Sequence, residues 1–382
     1  MADFIFRIQP NIVLGSYTSS RLGQFTKDYG SRFMVIMDPI LNELGTAEKI
    51  IQSLTDRKIE HFVFDEIPEG ADTQVLENAL QLARQAHIHG VIAAGGSKIL
   101  NLAKAICSVY HEAHDLYDFV DGATPTCGAL PLLCVPTTIR DLFMFTDRTP
   151  VIDARSNQIK LLKSQAGICK LIIFDPNLTV TLTDNQTAAM SLETLCIAVE
   201  AYLSQKSNFF SDMIIEKAVE LMCYALDGSP TLTVTTPQET LLSQAGCMTS
   251  LGVASSSMGT ASLLSLCINA RYKISRSLTT VILFPYFIED AAKYKSERLA
   301  KLARILRVAT DATPADEAVL AFTEYVRQHI AKANLPARLK ELSISIEQLA
   351  LVAEDAGNLE LINQLPKSMN ADDLFDLIKQ AY

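Results

Sequence analysis

Residues 89–108 read HGVIAAGGSKILNLAKAICS, and the order of residue types in them decides how the chain is built. Val91-Ile92-Ala93-Ala94 is a short apolar run of the kind that forms a strand buried on both faces. Gly95-Gly96-Ser97 follows as a tight turn with no large side chain in the way. From Lys98 onward, Ile99, Leu102, Ala103 and Ile106 recur at helical spacing. Strand, glycine turn and helix together offer backbone N–H groups and a positive helix end to an anion such as a phosphate. The spacing matches neither the six-residue dinucleotide fingerprint nor the P-loop. Two glycines in such a turn also occur with no ligand, so this stretch alone leaves phosphate binding open.

The same alternation runs outward on both sides. IVLG closes an early strand, and SSRLGQFTKDYG from Ser19 reads as a helix with a serine cap and a glycine stop. Phe33-Met34-Val35-Ile36-Met37 is a buried strand ending at Asp38-Pro39. LGTAEKIIQSLTDRK is an amphipathic helix, HFVFDEI a strand, and DTQVLENALQLARQAHIH a long helix leading into the glycine turn. LPLLCVP is a strand closing on Pro136-Thr137-Thr138, and CKLIIFDP another, closing on Asp175-Pro176. This rhythm predicts an α/β domain over residues 1–178 with a Rossmann-like, doubly wound parallel sheet.

After Pro176 the strand signals stop. The segment from Thr183 to Ser204 reads as a helix capped by Thr183 or Asp184. FFSDMIIEKAVELMCYAL, ETLLSQAGCMTSLGVASSS, KSERLAKLARIL, ADEAVLAFTEYVRQHIA, SIEQLALVAEDA and NADDLFDLIKQA read as further helices. Residues 179–382 are therefore expected to form an all-helical second domain. A cleft between such domains is a usual place for a small-molecule ligand.

Composition narrows the partners. Net charge is −10 with no lysine or arginine run, which argues against nucleic acid or an anionic membrane surface. No apolar run reaches the roughly 18 residues needed to span a bilayer. The start, MADFIFRIQPNIVLG, lacks the pattern of a signal peptide, so a cytoplasmic protein is expected. Cys107, Cys134, Cys169, Cys196 and Cys267 sit in apolar surroundings, as suits reduced core thiols. His111 and His114 in HEAHD lie three apart on an expected helix, where a polar helix end is favoured over a metal site.

Taken together, the motifs resemble one family, the iron-containing alcohol dehydrogenases with the related glycerol dehydrogenases. Gly95-Gly96-Ser97-Lys98, then Asn101, Ala103 and Lys104, resembles the family turn of three glycines followed by an aspartate and Ala-Lys. Pro136-Thr137-Thr138 matches its PTT, and DPNLTVTLT and SLETLCIAVEAY match its DP and EAY segments. LPARLKELSISIEQLALVAEDA and the final ADDLFDLIKQAY resemble its C-terminal tail. The resemblance implies a dehydroquinate synthase-like two-domain architecture. It also implies a nicotinamide dinucleotide on the first domain, a divalent metal on the second, and hydride transfer from an alcohol or polyol. Relatives commonly pair, so a homodimer is compatible with the chain.

The chain departs from that pattern at the metal. The family positions for an aspartate and a histidine four residues apart hold Glu193 and Ile197, and those of two further histidines fall at Ser262 and Arg276. Iron or zinc needs at least three N, O or S ligands. We therefore expect no iron or zinc, with Glu193 and Arg276 as the candidates for whatever chemistry remains. They are expected to form an internal ion pair in the vacated space; the alternative has Arg276 in solvent and Ile197 filling the hole.

The cofactor site is altered as well. The family's small AGTGSE run is here Ile139-Arg140-Asp141-Leu142-Phe143-Met144, which costs close backbone approach. Arg140 can contact a phosphate instead, or pair with Asp141 at the surface. The remaining cofactor candidates are Asp38, Gly95, Gly96, Ser97, Lys98, Asn101, Thr137 and Thr138. Asp38 at a strand end can accept from a ribose 2′-hydroxyl, which favours NAD over NADP, or it can be no more than an Asp-Pro turn. Correlated loss at one chemical centre points to a degenerate, non-catalytic member with at most weak nucleotide binding. The competing expectation is an active NAD-dependent oxidoreductase that works without the metal.

Overall fold

The computed structural model describes residues 10–43, 45–68, 71–165, 167–181, 183–228 and 236–382. The leading segment through Gln9 and Leu182 of DPNLTVTLT lie outside the described residues. The chain divides into two compact units: residues 1–154 with 160–178, and residues 155–159 with 179–382.

The first unit is built on a six-stranded parallel sheet. Its strands are β1 (Asn11–Leu14), β2 (Arg32–Met37), β3 (Glu60–Phe64), β4 (Gly90–Gly95), β5 (Leu132–Pro136) and, after a ribbon of β6 (Arg148–Asp153) and β7 (Gln158–Lys163), β8 (Cys169–Phe174). The spatial order is β1-β8-β5-β4-β2-β3, and every pairing is parallel. β2, β4, β5 and β8 are buried along almost their whole length, which is why they read as continuous apolar runs rather than alternations. Phe33, Val35, Met37, Ile92, Ala94, Leu133, Val135, Leu171 and Ile173 line one face and pack on helical residues such as Leu41, Ile50 and Leu54.

From β2 the chain goes outward to β3, then returns to β4 on the other side of β2. The carboxyl ends of β2 and β4, paired as Met37 with Ala94, thus flank the point where strand order reverses. Ligands of open α/β sheets bind at such a point.

The second unit is helical; among its described residues the only strand residues are 158–159, the start of β7, and no strand follows β8. Its centre is the helix Asp184–Leu203, started by a capping box between Thr183 and Gln186 and buried all round after its first turns. Around it pack the helices Phe209–Asp227, Gln238–Ala254, Thr260–Tyr272, Arg276–Ile305 and Ala315–Lys332. Gln158, in the hairpin tip that counts with this unit, donates to Asp355, which Arg271 also grips. Among the described residues, no helix is long and apolar enough to cross a membrane.

Two local readings change. Residues 148–163, left without an element by the periodicity, form the β6–β7 ribbon; a two-stranded ribbon needs little apolar patterning of its own. HEAHD is not helical: the helix Ser97–Val109 stops before it, and Asp115 caps the next one, Leu116–Val120. A short polar run with an Asx cap favours a turn over another helical turn.

Candidate functional site

In the first unit, the crevice candidates converge on the ends of β2, β4 and β5. The Asp38 N–H donates to Ala94 O (2.9 Å), and the Thr137 N–H to Gly95 O (3.1 Å). These two bonds extend the parallel ladders by one residue and bring Asp38, the glycine turn and Pro136-Thr137-Thr138 side by side. Gly95 has no room for a side chain, since a Cβ there meets Ile99 Cγ1 at 2.5 Å and Asp38 Cβ at 3.1 Å. Gly96 is different: an added Cβ there meets Thr138 Cγ2 at an ordinary 3.6 Å.

Gly96 is the N-cap of the helix Ser97–Val109 and so contributes no side-chain cap. Among the described residues the Ser97 hydroxyl in the first turn, which is buried, has no hydrogen-bond partner. A helix start with no side-chain cap and an unmated hydroxyl is a place where an anion gains bonds that the protein does not supply. Lys98 is half-buried beside it, Asn101 and Thr137 are buried, and Thr138 Oγ1 donates to Arg140 O (3.2 Å). Arg140 and Asp141 are both buried, 6% and 3% exposed, so the surface-pair alternative is overturned. One Asp141 oxygen accepts from the Phe143 N–H (2.8 Å), turning the chain within Ile139-Arg140-Asp141-Leu142-Phe143-Met144. Ile139, Leu142, Phe143 and Met144 are buried, so this run is packed with hydrocarbon.

In the second unit, the residues expected at the family metal positions include two buried carboxylate–hydroxyl contacts. Glu193 and Ile197 lie one turn apart on the helix Asp184–Leu203, each 1% exposed. Glu193 accepts from the Ser277 hydroxyl, and Arg276, the residue before, starts the helix Arg276–Ile305 half-buried. Ser262 donates its hydroxyl to Glu200, the glutamate of EAY. Glu200 also accepts from the N–H groups of Ala261 (2.6 Å) and Ser262 (3.1 Å) at the start of the helix Thr260–Tyr272. Gly259 makes the approach possible, because a Cβ there meets Glu200 Cγ at 2.6 Å. Burial pushes the Glu200 carboxyl up to about 7, against the pull of the Ser262 hydroxyl and the helix amides. Glu200 escaped the motif reading. Its signal was its spacing from Glu193 and Ile197, which puts all three on one helix face.

His111 and His114 flank Glu112, which is buried and accepts from the Thr126 N–H (2.5 Å) and Cys127 N–H (2.6 Å). Those amides, Cys127 first, hold its carboxyl below the usual range. A cavity of about 370 Å³ lies beside it, lined by Glu112, His114, Asp118 and Asp121 among others. The carboxylate is engaged in closing a loop.

Residues 9–176 match the model of the iron-containing alcohol dehydrogenases, and residues 187–382 that of the Fe-containing alcohol dehydrogenase family, C-terminal. The chain is similar to the probable alcohol dehydrogenase EutG of Escherichia coli (strain K12), at 23% identity over 98% of this chain and 94% of that one. It is similar to the NAD-dependent methanol dehydrogenase of Bacillus methanolicus, at 21% identity over 98% and 99% of the two chains. Among solved structures, a 1,3-propanediol oxidoreductase superposes with a TM-score of 0.89 at 19% identity, over 98% of both chains.

Proposed function

The chain belongs to the iron-containing alcohol dehydrogenase family, and from that premise we propose that it binds a nicotinamide dinucleotide but not the family's metal, in a role other than metal-dependent alcohol oxidation. The residues at the strand ends fit the nucleotide. The uncapped amides of the helix Ser97–Val109 take a pyrophosphate, with Ser97 adding a hydroxyl and Lys98 a charge. Arg140 adds a second cation; Asn101, Thr137 and Thr138 add neutral hydrogen bonds. Asp38 accepts from the ribose and repels a 2′-phosphate, so NAD is preferred over NADP. When bound, NAD supplies an acceptor or donor of hydride.

The metal positions do not fit an iron or zinc ion. The observation that carries the reading is the donor set: a carboxylate bonded by Ser277, a hydroxyl spent on Glu200, hydrocarbon at Ile197 and a fixed cation at Arg276. No three of these are N, O or S ligands free to converge on one ion.

A second reading keeps catalysis: an NAD-dependent alcohol or polyol oxidoreductase that works without the metal. It is favoured by the placement of Arg276 next to Ser277, whose hydroxyl reaches Glu193. A fixed guanidinium there stabilises an alkoxide, and the Glu193–Ser277 pair takes up a proton.

Titration of the purified protein with NAD and NADP by calorimetry, followed by incubation of each complex with short alcohols and diols, tests both readings. The first predicts NAD binding without turnover. Turnover abolished by Arg276→Ala supports the second, and no binding of either nucleotide refutes both.

A further inference from the structure

Lys104, two turns into the helix Ser97–Val109, makes a contact that the nucleotide reading does not use. The side chain is buried, and Nζ donates to the main-chain carbonyls of Phe143 (2.6 Å), Thr146 (2.6 Å) and Arg148 (3.0 Å). An ammonium carries three N–H donors and no acceptor, so three carbonyls use it completely. Phe143 and Thr146 belong to the connection that runs from the end of β5 through residues 137–147, without helix or strand of its own, and Arg148 is the first residue of β6, where that connection ends. The connection starts at Thr137, whose N–H is held by Gly95 O. One helix therefore presents one lip of the crevice at its first turn and grips the other lip through Lys104.

We propose that Lys104 is a positioning clamp: its ammonium, seated in the three carbonyls, holds the 137–147 connection against the glycine turn and so fixes the opening of the crevice. That the crevice takes a nucleotide rests on the reading above; the clamp itself stands on the geometry.

Hydrocarbon at this site would fill the space without the cost of burying a charge. A lysine makes the order of the connection depend on one proton. The charged and titratable groups facing it are Asp141 and Asp147 of the connection, Cys134 on β5 and Cys169 on β8, while the Arg148 guanidinium turns to Asp147 (3.1 Å). Burial pushes the Lys104 ammonium down to about 8, against the pull of Asp141 first and then of Cys169, Cys134 and Asp147. A neutral amine keeps two N–H donors and gains a lone pair, so one carbonyl loses its donor and the clamp loosens.

Global stability moves the other way. With a folded value near 8 and an unfolded one near 10.5, the unfolded chain binds the extra proton between them. Unfolding free energy therefore rises with pH across that window. Local loosening alongside a global gain is a signature that simple packing does not give. A cavity of about 20 Å³, room for one water, lies beside Lys104, Thr146 and Cys169.

The test is hydrogen exchange of the full chain read by mass spectrometry and corrected for the intrinsic pH dependence. It compares wild type, Lys104→Met, and Lys104→Ala with and without propylammonium. The Thr146 amide, bonded to Phe143 O, and the Phe143 amide, bonded to Asp141, report on the connection. In Lys104→Met their protection should fall about tenfold or more, as expected when three charge-assisted bonds are lost, with peptides from 184–203 unchanged. Wild type should show part of that loss between pH 6.5 and 9, and propylammonium should restore protection in Lys104→Ala. Unchanged protection in a folded Lys104→Met overturns the clamp. If that variant unfolds throughout, failure of propylammonium to protect Lys104→Ala overturns it instead. NAD titration of the same proteins separates the two ideas. If wild type binds no NAD while the connection loosens in the variants, the nucleotide reading fails and the clamp stands. Equal NAD affinity with and without the clamp refutes its role in the crevice.

Discussion

The glycine turn of the sheet unit and the Glu200 knot of the helical unit both place polar groups against a helix N-terminus, and they finish the task differently. At the turn, the helix Ser97–Val109 has no side-chain cap and the Ser97 hydroxyl lies buried without a partner among the described residues. At the knot, the helix Thr260–Tyr272 has its first amides taken by Glu200, and the Ser262 hydroxyl points into the same carboxylate. A buried polar group left unmated costs about 1–3 kcal/mol, so an incomplete site persists where a ligand completes it. A complete one needs no ligand. The proposed function reads this contrast as binding at the first place and as internal hydrogen bonds in place of a metal at the second.

The contrast can be broken most sharply at Glu200. Glu200→Leu orphans two amides and a hydroxyl and should lower stability by about 3 kcal/mol or more, read by chemical denaturation. Glu200→Gln keeps the acceptor and should be much milder. It should also change the pH profile. The folded carboxyl, at about 7, lies above its ordinary value near 4.5. The stability it contributes is therefore complete below about 4.5 and lost as pH rises through about 7. Wild-type Tm should fall between pH 5 and 7.5 by more than that of Glu200→Gln; equal slopes would mean the carboxylate is solvated and the knot is open.

Ser262→Ala removes one donor from a buried carboxylate and should cost about 1–2 kcal/mol. A neutral result would free that hydroxyl to serve as a ligand. At the turn, Asp38→Ala should leave stability nearly unchanged while narrowing the preference for NAD over NADP by about tenfold, roughly 1.4 kcal/mol, in competition titrations. A wild-type preference for NADP would remove the role given to Asp38. The smallest effect belongs to Ser97→Ala. Deleting an unmated hydroxyl should cost no stability and should raise it by about 1 kcal/mol, while weakening NAD a few-fold. A loss as large as that of Ser262→Ala would mean the two helix starts are not different in kind.

Much of this was legible in the sequence because burial writes itself into composition. Strands covered on both faces read as apolar runs, and the turn after Ala94 had to be glycine where Ile99 and Asp38 crowd it. The expectation of no metal rests on residue types alone, since isoleucine cannot ligate wherever it lies. What each polar residue touches was not legible. Glu200 and Lys104 were parts of motifs, and only three-dimensional packing gives one a helix start and the other three carbonyls. A surface pair of Arg140 with Asp141 was one of two open readings because charge usually marks exposure; both residues are buried. The ribbon β6–β7 and the turn at His111–His114 escaped for a different reason: short polar segments take their conformation from their surroundings.

The central claim is that the helical unit holds itself together where relatives place an ion, and metal linkage measured on one sample tests it most directly. Wild type and Glu193→Ala should be purified without chelator, analysed for iron and zinc, then melted with and without added Zn²⁺ or Fe²⁺. A tight site predicts one metal per chain and a Tm that climbs with metal concentration. The account predicts well under one metal per chain and no metal-dependent rise in Tm. One iron or zinc per chain, with a metal-dependent rise in Tm that disappears in Glu193→Ala, would contradict it.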